Sequence, residues 1–330
     1  MVKKVSILVA VHNSADWLPR CLDSLCTQTY NNVEVVCVDD ASTDGSLLLL
    51  QQFATKYKNL KISSLALNSG PAVARNEAFR LSAGDYIMMV DSDDWLSPDA
   101  VEQAVSVLDT YPDTSSVLFR MVYHDAVTGN EEDFPDKRTA DVIDGAEAMR
   151  LALDWDIHGL YLARRVLYET YPFDTASFLY SDDNTARRHY LHSGKVRFCD
   201  GVYYYLQHKQ SMLHNPGIHY ADWLEATASL KQMLVDEHQP ERYINHIEER
   251  LWQNIVAVSG YYWRYGQTLT ADERASVLHR IRKHHAAAEL DRLPLSLKCK
   301  FGFIPFKCCF SLFMAQTRIY FSLRKAIKGI

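Results

Sequence analysis

Short apolar runs alternate, over the first third of the chain, with stretches whose apolar residues recur every three or four positions. VSILVAV (Val5 to Val11) and VEVVCVD (Val33 to Asp39) are β-branched runs, the pattern of strands covered on both faces. Between them Trp17, Leu18, Cys21, Leu22 and Leu25 share one helical face, and Ser14 stands where a cap would be. Asp44 is placed to cap a second helix through Leu47, Leu48 and Phe53. The pattern then predicts a strand near Leu60 to Leu67, a helix from about Pro71 to Ser82 ended by Gly84, and a strand from Tyr86 to Val90. A helix starting at Pro98 and a strand from Ser116 to Tyr123 follow. Repeated βαβ units predict an α/β fold with a mostly parallel sheet, flanking helices and right-handed crossovers.

After about Pro216 the pattern changes to long helical stretches, Ala221 to Glu237 and Arg242 to Trp263. Two domains are therefore expected, 1–215 around the sheet and 216–330 helical. The opening MVKKVSILVAV breaks into HNSADW without a small-residue cleavage site, so it reads as the first strand rather than a signal peptide. No stretch reaches the roughly 20 apolar residues that span a bilayer, which predicts a soluble or peripherally bound protein.

Composition narrows the classes. With 330 residues, 48% hydrophobic and 23% charged, the chain can build one large core and a smaller appendage. A net charge of -6 argues against a general nucleic-acid binder, which carries a basic excess. The 7 cysteines lack CxxC or His/Cys zinc spacing and read as reduced thiols of a cytoplasmic protein.

The candidate chemistry is acidic. MMVDSDDWLSPD crowds Asp91, Asp93 and Asp94 at the end of an apolar strand, and Asp39 and Asp40 end another. Ligands of parallel sheets bind at such carboxyl ends, so the two clusters should share one cleft. The first strand leads to HNSADW rather than GxGxxG, and no GxxxxGK[ST] loop is present, which removes the usual dinucleotide and phosphate cradles. A diphosphate would then be neutralised by a divalent cation on carboxylates, and hard oxygen ligands suit Mg²⁺ or Mn²⁺. Asp91 and Asp93, on alternate positions of an extended segment, supply such a pair.

VSILVAVHNSADWLPRCLDSLCTQTY, VEVVCVDDASTDGS, NSGPAVARNEAF, GDYIMMVDSDDWLSPD and YSDDNTARRHYL occur in the order and spacing of a known family. The chain resembles, over about residues 3 to 214, the inverting family-2 nucleotide-sugar glycosyltransferases with the GT-A fold. The resemblance implies that Asp40 reads the uracil edge of a UDP-sugar while Asp39 supports the turn. Ala10 and His12 stand where the family commonly has Pro and Tyr along the base. Arg75 and Asn76 match an RN pair near the nucleotide. Asp91 matches the ribose-side acid of the DXD motif, with Ser92 between, and Asp93 the metal ligand. Ser181-Asp182-Asp183 stands for the usual Glu-Asp, which makes Asp182 the base that takes the acceptor proton and Asp183 the fallback. VYYYLQHKQSMLHN aligns with a segment that closes over the diphosphate, so His208 and Lys209 become phosphate or metal contacts.

The implied activity is metal-dependent transfer of a sugar to a saccharide or lipid-linked acceptor in surface polysaccharide synthesis. Two rivals remain: an inactive nucleotide-sugar-binding protein of the same fold, suggested by Ser181, and a nucleotidyltransferase, which would need a glycine-rich basic loop after the first strand. Capping competes as the role of Asp44, Asp94 and Asp99. The C-terminal stretch adds a partner. From Leu293 to Ile330 it holds no Asp or Glu, while Lys298, Lys300, Lys307, Arg318, Arg324, Lys325 and Lys328 interleave with Phe301, Phe303, Ile304, Phe306, Phe310, Phe313, Ile319, Tyr320 and Phe321. That mixture suits the anionic inner face of a cell membrane. The competing role is packing on the protein itself or on a second copy in a homodimer.

Overall fold

The computed structural model describes residues 2–209, 217–299 and 302–328, the last four of these without side chains. By its internal contacts the chain divides into Met1–Phe178 with Asp182–Ser211, and Leu179–Ser181 with Met212–Ile330.

The first unit is built on one sheet. Its strands are β1 (Val5–Val11), β2 (Val33–Asp39), β3 (Leu60–Ser64), β4 (Tyr86–Met89) and β5 (Trp95–Leu96). Then come β6 (Thr114–Asp125), β7 (Glu131–Asp133), β8 (Val142–Asp144), β9 (Tyr161–Arg164) and β10 (Lys195–Gln207). The order is β3-β2-β1-β4-β9-β6-β10-β5, with β7 on β6 and β8 on β10. Strands β3, β2, β1 and β4 run parallel, and so do β6 and β10. Strand β9 lies antiparallel between β4 and β6. The sheet is therefore mixed and mostly parallel, and the register of Val11 with Asp39 and Leu8 with Met89 brings the carboxyl ends of β1, β2 and β4 together. Every β2 side chain is buried, which explains its unbroken apolar run.

Several boundaries differ from the sequence reading, each for a local reason. Ser14 does not cap its helix, which runs Leu18–Cys26; its hydroxyl donates to the His12 carbonyl and meets Ser92 Oγ at 2.7 Å. Asp44 does accept the Ser46 N–H at 2.8 Å, at the start of the helix Ser46–Lys56. The third strand stops at Ser64 rather than Leu67. The helix expected at Pro98 begins at Ala100, because Ser97 and Asp99 form the turn before it. Val202 to Gln207, aligned with a segment closing over the diphosphate, is instead sheet strand paired to β6; Gln210 to Asn215 lie outside the described residues.

In the second unit the helices Asp222–Asp236, Glu241–Tyr265, Ala271–Ala287 and Phe310–Lys328 enclose a separate core that includes Trp252, Ile255, Val277, Ile281, Phe306 and Phe313. The C-terminal aromatics are thus not all surface groups. Phe303, Phe306 and Phe313 are buried in this core, while Ile304, Ile319 and Tyr320 are 70%, 61% and 44% exposed. Phe303 and Phe306, three apart on the helix Phe303–Cys308, lie on one side of it, and Phe313 comes from the next helix, which starts after the extended Cys309. Lys300 and Phe301, and the side chains of Lys325 and Lys328, lie outside the described residues. Among the described residues no helix is long and apolar enough to cross a membrane.

Candidate active site

The carboxyl ends of β1, β2 and β4 carry the first group of polar side chains. Asp39 and Asp40 follow the apolar run of β2 into a turn in which Ala41 takes a positive φ of 54°. Asp40 is buried, and its two carboxylate oxygens each accept a backbone N–H at 2.7 Å, from Ser69 and Gly70. Gly70 has φ 93° and a Cβ there would press on Phe178, so the turn requires glycine. Asp40, expected to read a base edge, is thus committed to holding this turn. Asp39 differs: Oδ2 accepts from the Ser42 N–H at 3.2 Å, while the buried Oδ1 has no hydrogen-bond partner among the described residues. Such an acceptor is costly unless something donates to it.

His12 closes the same corner. Its Nε2 lies 3.1 Å from the Asn68 amide nitrogen and 3.2 Å from that of Asn13, both donors, so Nε2 accepts. The proton then sits on Nδ1, which donates to the Asp40 carbonyl at 2.8 Å. Ala10, whose small side chain is half-buried, stands two residues before it on β1.

A second group converges through Arg75. The helix Pro71–Leu81 buries this guanidinium, which pairs with Asp91 after β4 and donates from Nη1 to Asp182 Oδ2 at 2.7 Å. Burial alone would lower the Arg75 pKa, but Asp91 and Asp182 raise it further, so the residue stays charged. Burial pushes the Asp91 carboxyl up, Arg75 opposes it, and Asp93 and Asp182 add to the rise. Asn76, expected beside the nucleotide, is committed elsewhere: its amide exchanges two hydrogen bonds of 3.0 Å with the backbone of Phe173.

Asp182 and Asp183 open the helix Asp182–Leu191. The two differ in environment. Asp182 is held by Arg75, whereas burial, with Asp182 and Asp91 adding to it, lifts Asp183 to about 7 against the pull of Arg187 and Arg75.

The third group surrounds Asp93. Its Oδ2 lies 2.9 Å from His208 Nε2, and the His208 ring packs 4.9 Å from Trp17. His208 Nδ1 is buried and has no hydrogen-bond partner among the described residues. Ser92 Oγ pairs with Ser14, and Lys209 is exposed next to His208. Asp94 plays a structural part: fully buried, it accepts from Tyr203 Oη at 2.7 Å and from the Leu206 N–H at 2.7 Å, tying the acidic turn to β10. Burial raises its pKa strongly, with Asp93 and Asp91 adding to it. Tyr203 also accepts the Asp91 N–H at 3.1 Å. The sequence offers Trp17 only as an apolar residue of a helix face and does not single out Tyr203; the alternation of VYYYLQ is the available signal for a buried tyrosine.

Among the described residues no group of three His, Cys, Asp or Glu side chains is arranged to hold a metal alone. Mg²⁺ and Mn²⁺ are commonly held by one or two carboxylates with phosphate oxygens completing the shell. Asp93 with its partner His208, and Asp91 two residues before it, provide a donor set that fits that case.

Residues 6–169 match the profile of Glycosyl transferase family 2. The chain is 45% identical over 101 residues to a poly(ribitol-phosphate) beta-glucosyltransferase of Bacillus spizizenii, a match covering 30% of this chain and 16% of that one. It is 26% identical over 224 residues to glycosyltransferase GlyG of Streptococcus pneumoniae, covering 64% of this chain and 74% of that one. The crystal structure of S. aureus TarS 1-349 in complex with UDP-GlcNAc superposes with TM-score 0.70 at 18% identity, covering 99% of this chain and 92% of that chain. At that identity the likeness establishes the GT-A fold. The chain spans 16%, 14% and 28% of the length of three of its relatives, so their activities do not transfer as they stand.

Proposed function

Through residues 6–169 this chain belongs to glycosyl transferase family 2, and from that premise we propose that it is a metal-dependent inverting glycosyltransferase using a UDP-sugar. The observation that carries the reading is Arg75 pairing with both Asp91 and Asp182, because it gathers the DXD acids and the acids of the Asp182–Leu191 helix in one cleft. Residues 1–215 form the catalytic domain and 216–330 a helical appendage.

Uracil sits against Ala10 and His12, and its N3–H donates to Asp39 Oδ1, the buried acceptor with no partner among the described residues. Asp39 therefore takes the role first given to Asp40. The acceptor hydroxyl attacks the anomeric carbon while the bond from that carbon to the diphosphate oxygen breaks. Its proton passes to a carboxylate. Asp183 suits this step better than Asp182, because a base works best with a pKa near the operating pH and Asp182 is engaged by Arg75. Arg75 fixes Asp182 and faces the anionic donor. Asp93 and His208, with Asp91, would hold Mn²⁺ or Mg²⁺, and a bound cation would offset the charge that grows on the departing UDP. Lys209 adds a positive charge at the same rim.

The TarS complex contains UDP-GlcNAc, and the similar Bacillus enzyme is named for poly(ribitol-phosphate). These names support a surface polysaccharide or lipid-linked saccharide as acceptor, reached from the cytoplasmic side. The basic, acid-free C-terminal helices support peripheral attachment there. The test is a screen of UDP-sugars for Mn²⁺-dependent binding, followed by transfer to polyol-phosphate and saccharide acceptors. No binding of any UDP-sugar would end the proposal; binding without transfer or hydrolysis would leave the inactive-homologue reading.

A further inference from the structure

Ser14, buried at 8% exposure, stands among the loops that follow β1, β2 and β4. Its backbone N–H donates to Ser46 Oγ at 2.8 Å, which ties the loop after β1 to the helix Ser46–Lys56 after β2. The flanking residues extend that seam. Asn13 N–H donates to Ser42 Oγ at 3.0 Å, Thr43 N–H to Asn13 Oδ1 at 2.8 Å, and Ala15 N–H to Asp44 Oδ2 at 3.1 Å. The Ser14 side chain turns the other way, donating to the His12 carbonyl at 3.1 Å and meeting Ser92 Oγ at 2.7 Å. A hydroxyl carries one proton. With the Ser14 proton given to His12, the Ser92 hydroxyl donates to Ser14. A directed chain, from Ser92 to Ser14 to the backbone of His12, thus joins the turn carrying Asp91 and Asp93 to the corner of His12 and Asp39.

Both ends of this chain are fixed by other contacts. The turn is held from the sheet at Asp91, whose N–H donates to Tyr203 Oη, and at Asp94, which accepts from Tyr203 and from the Leu206 N–H. The corner is held by His12 Nδ1–H on the Asp40 carbonyl and by the Ser42 N–H on Asp39 Oδ2. Ser92 lies half-buried between those two anchors of the turn, next to Asp93. Losing the Ser14 hydroxyl would leave Asp91 and Asp94 anchored and the backbone seam to Ser46 intact. What it would release is the middle of the turn, at Ser92 and Asp93.

We propose that Ser14 is a positioning residue for the donor: acting through Ser92, it fixes Asp93 relative to the corner of Asp39 and His12, so that one nucleotide meets both ends of the cleft already in place. The inference rests on the proposed function for the identity of the donor. It adds that recognition of the base and of the diphosphate is joined through one pair of hydroxyls. Such preorganisation raises affinity by removing the ordering cost of binding.

Calorimetry of the full chain with uridine, and with UDP plus Mn²⁺, tests it, because uridine reports on the corner alone and UDP on both ends. Ser14→Ala should weaken Mn²⁺-dependent UDP binding about tenfold, the upper effect of one lost hydrogen bond, with uridine affinity unchanged. Ser92→Ala should do the same, and the double variant should lose no more than either single one, since each change breaks the same pair. Should Ser14→Ala fail to fold by circular dichroism, Ser92→Ala decides by the same split between uridine and UDP. Wild-type UDP affinity in the single variants would overturn the inference. So would additive losses, which would mean that Ser92 meets the donor independently of Ser14, or an equal loss for uridine, which would make Ser14 a support of the base corner only. Wild-type protein that binds neither uridine nor UDP would instead end the proposed function, and this inference with it.

Discussion

Arg75 Nη1 donates to Asp182 Oδ2 at 2.7 Å across 107 positions of sequence, and the same buried guanidinium pairs with Asp91. One cation thus joins the end of a core strand to the first turn of a helix from far along the chain. Removing one member of a buried ion-pair set leaves uncompensated charge and typically costs 3–5 kcal/mol. Arg75→Met should therefore lower unfolding free energy by about 3 kcal/mol, with transfer lost. Adding Asp182→Asn to it should restore part of that stability, as measured by denaturant unfolding. Additive losses in the double variant would show that the two residues are not coupled.

Asp183 gives the reaction a pH dependence. Asp183 has its pKa raised to about 7, mainly by burial, and a base acts in its ionised form. The rate should rise about tenfold per pH unit below 7 and level off above it. Asp183→Asn should cut transfer by at least about 10²-fold with UDP affinity near wild type. Because the folded-state pKa lies above the usual carboxylate range, Asp183 stabilises the fold at low pH and that contribution is lost as pH rises through about 7. The Asn variant should consequently be at least as stable as wild type at pH 8. If Asp182→Asn removes activity and Asp183→Asn does not, the base is Asp182.

Asp39 and Asp40 make opposite contributions in this picture. Asp39→Asn replaces the free acceptor oxygen with a group that need not accept, so UDP affinity should fall at least tenfold with little change in melting temperature. Asp40→Asn removes an acceptor for Ser69 or Gly70 and should lower the melting temperature first. Equal UDP affinity in Asp39→Asn and wild type, by calorimetry, would return the base-reading role to Asp40.

These contrasts mark what the sequence could and could not disclose. The β-branched runs of β1 and β2 announce themselves because both faces are buried, and the acids at their ends follow. Which of two neighbouring acids the turn consumes depends on backbone N–H groups 29 and 30 positions away, which no local pattern records. Strand β10 hid for another reason. KVRFCDGVYYYLQ mixes polar and apolar residues and breaks register between Phe198 and Val202, where Gly201 lets the chain pass close to Ala100. In the C-terminal helices, composition registered the basic and aromatic content but not the side to which each aromatic turns.

The metal assignment rests on Asp93 and its partner His208 at 2.9 Å. Asp93→Ala should abolish Mn²⁺-dependent UDP binding, and His208→Ala should weaken it at least as much as the roughly 10-fold loss seen when groups that only support a metal ligand are removed. Calorimetry with and without Mn²⁺ distinguishes the metal contribution from direct UDP contacts. Unchanged Mn²⁺ dependence in Asp93→Ala would remove Asp93 from the metal site.

Membrane attachment needs a different experiment from deletion of the C-terminal segment, because Phe313 and Met314 belong to the core of the second unit and their loss would unfold it. Charge neutralisation leaves that core intact. Lys307, Arg318 and Arg324 are exposed, and each cation close to an anionic leaflet contributes about 1 kcal/mol. The triple variant Lys307→Gln/Arg318→Gln/Arg324→Gln should then bind vesicles containing phosphatidylserine about 10²-fold more weakly in cosedimentation, with the circular dichroism spectrum and UDP affinity unchanged. Raising salt should weaken wild-type binding in the same direction, since screening acts on the same charges. Wild-type protein that ignores anionic vesicles at low salt, or a triple variant that binds them as well as wild type, would remove the C-terminal helices from the membrane and leave the acceptor to be reached in solution.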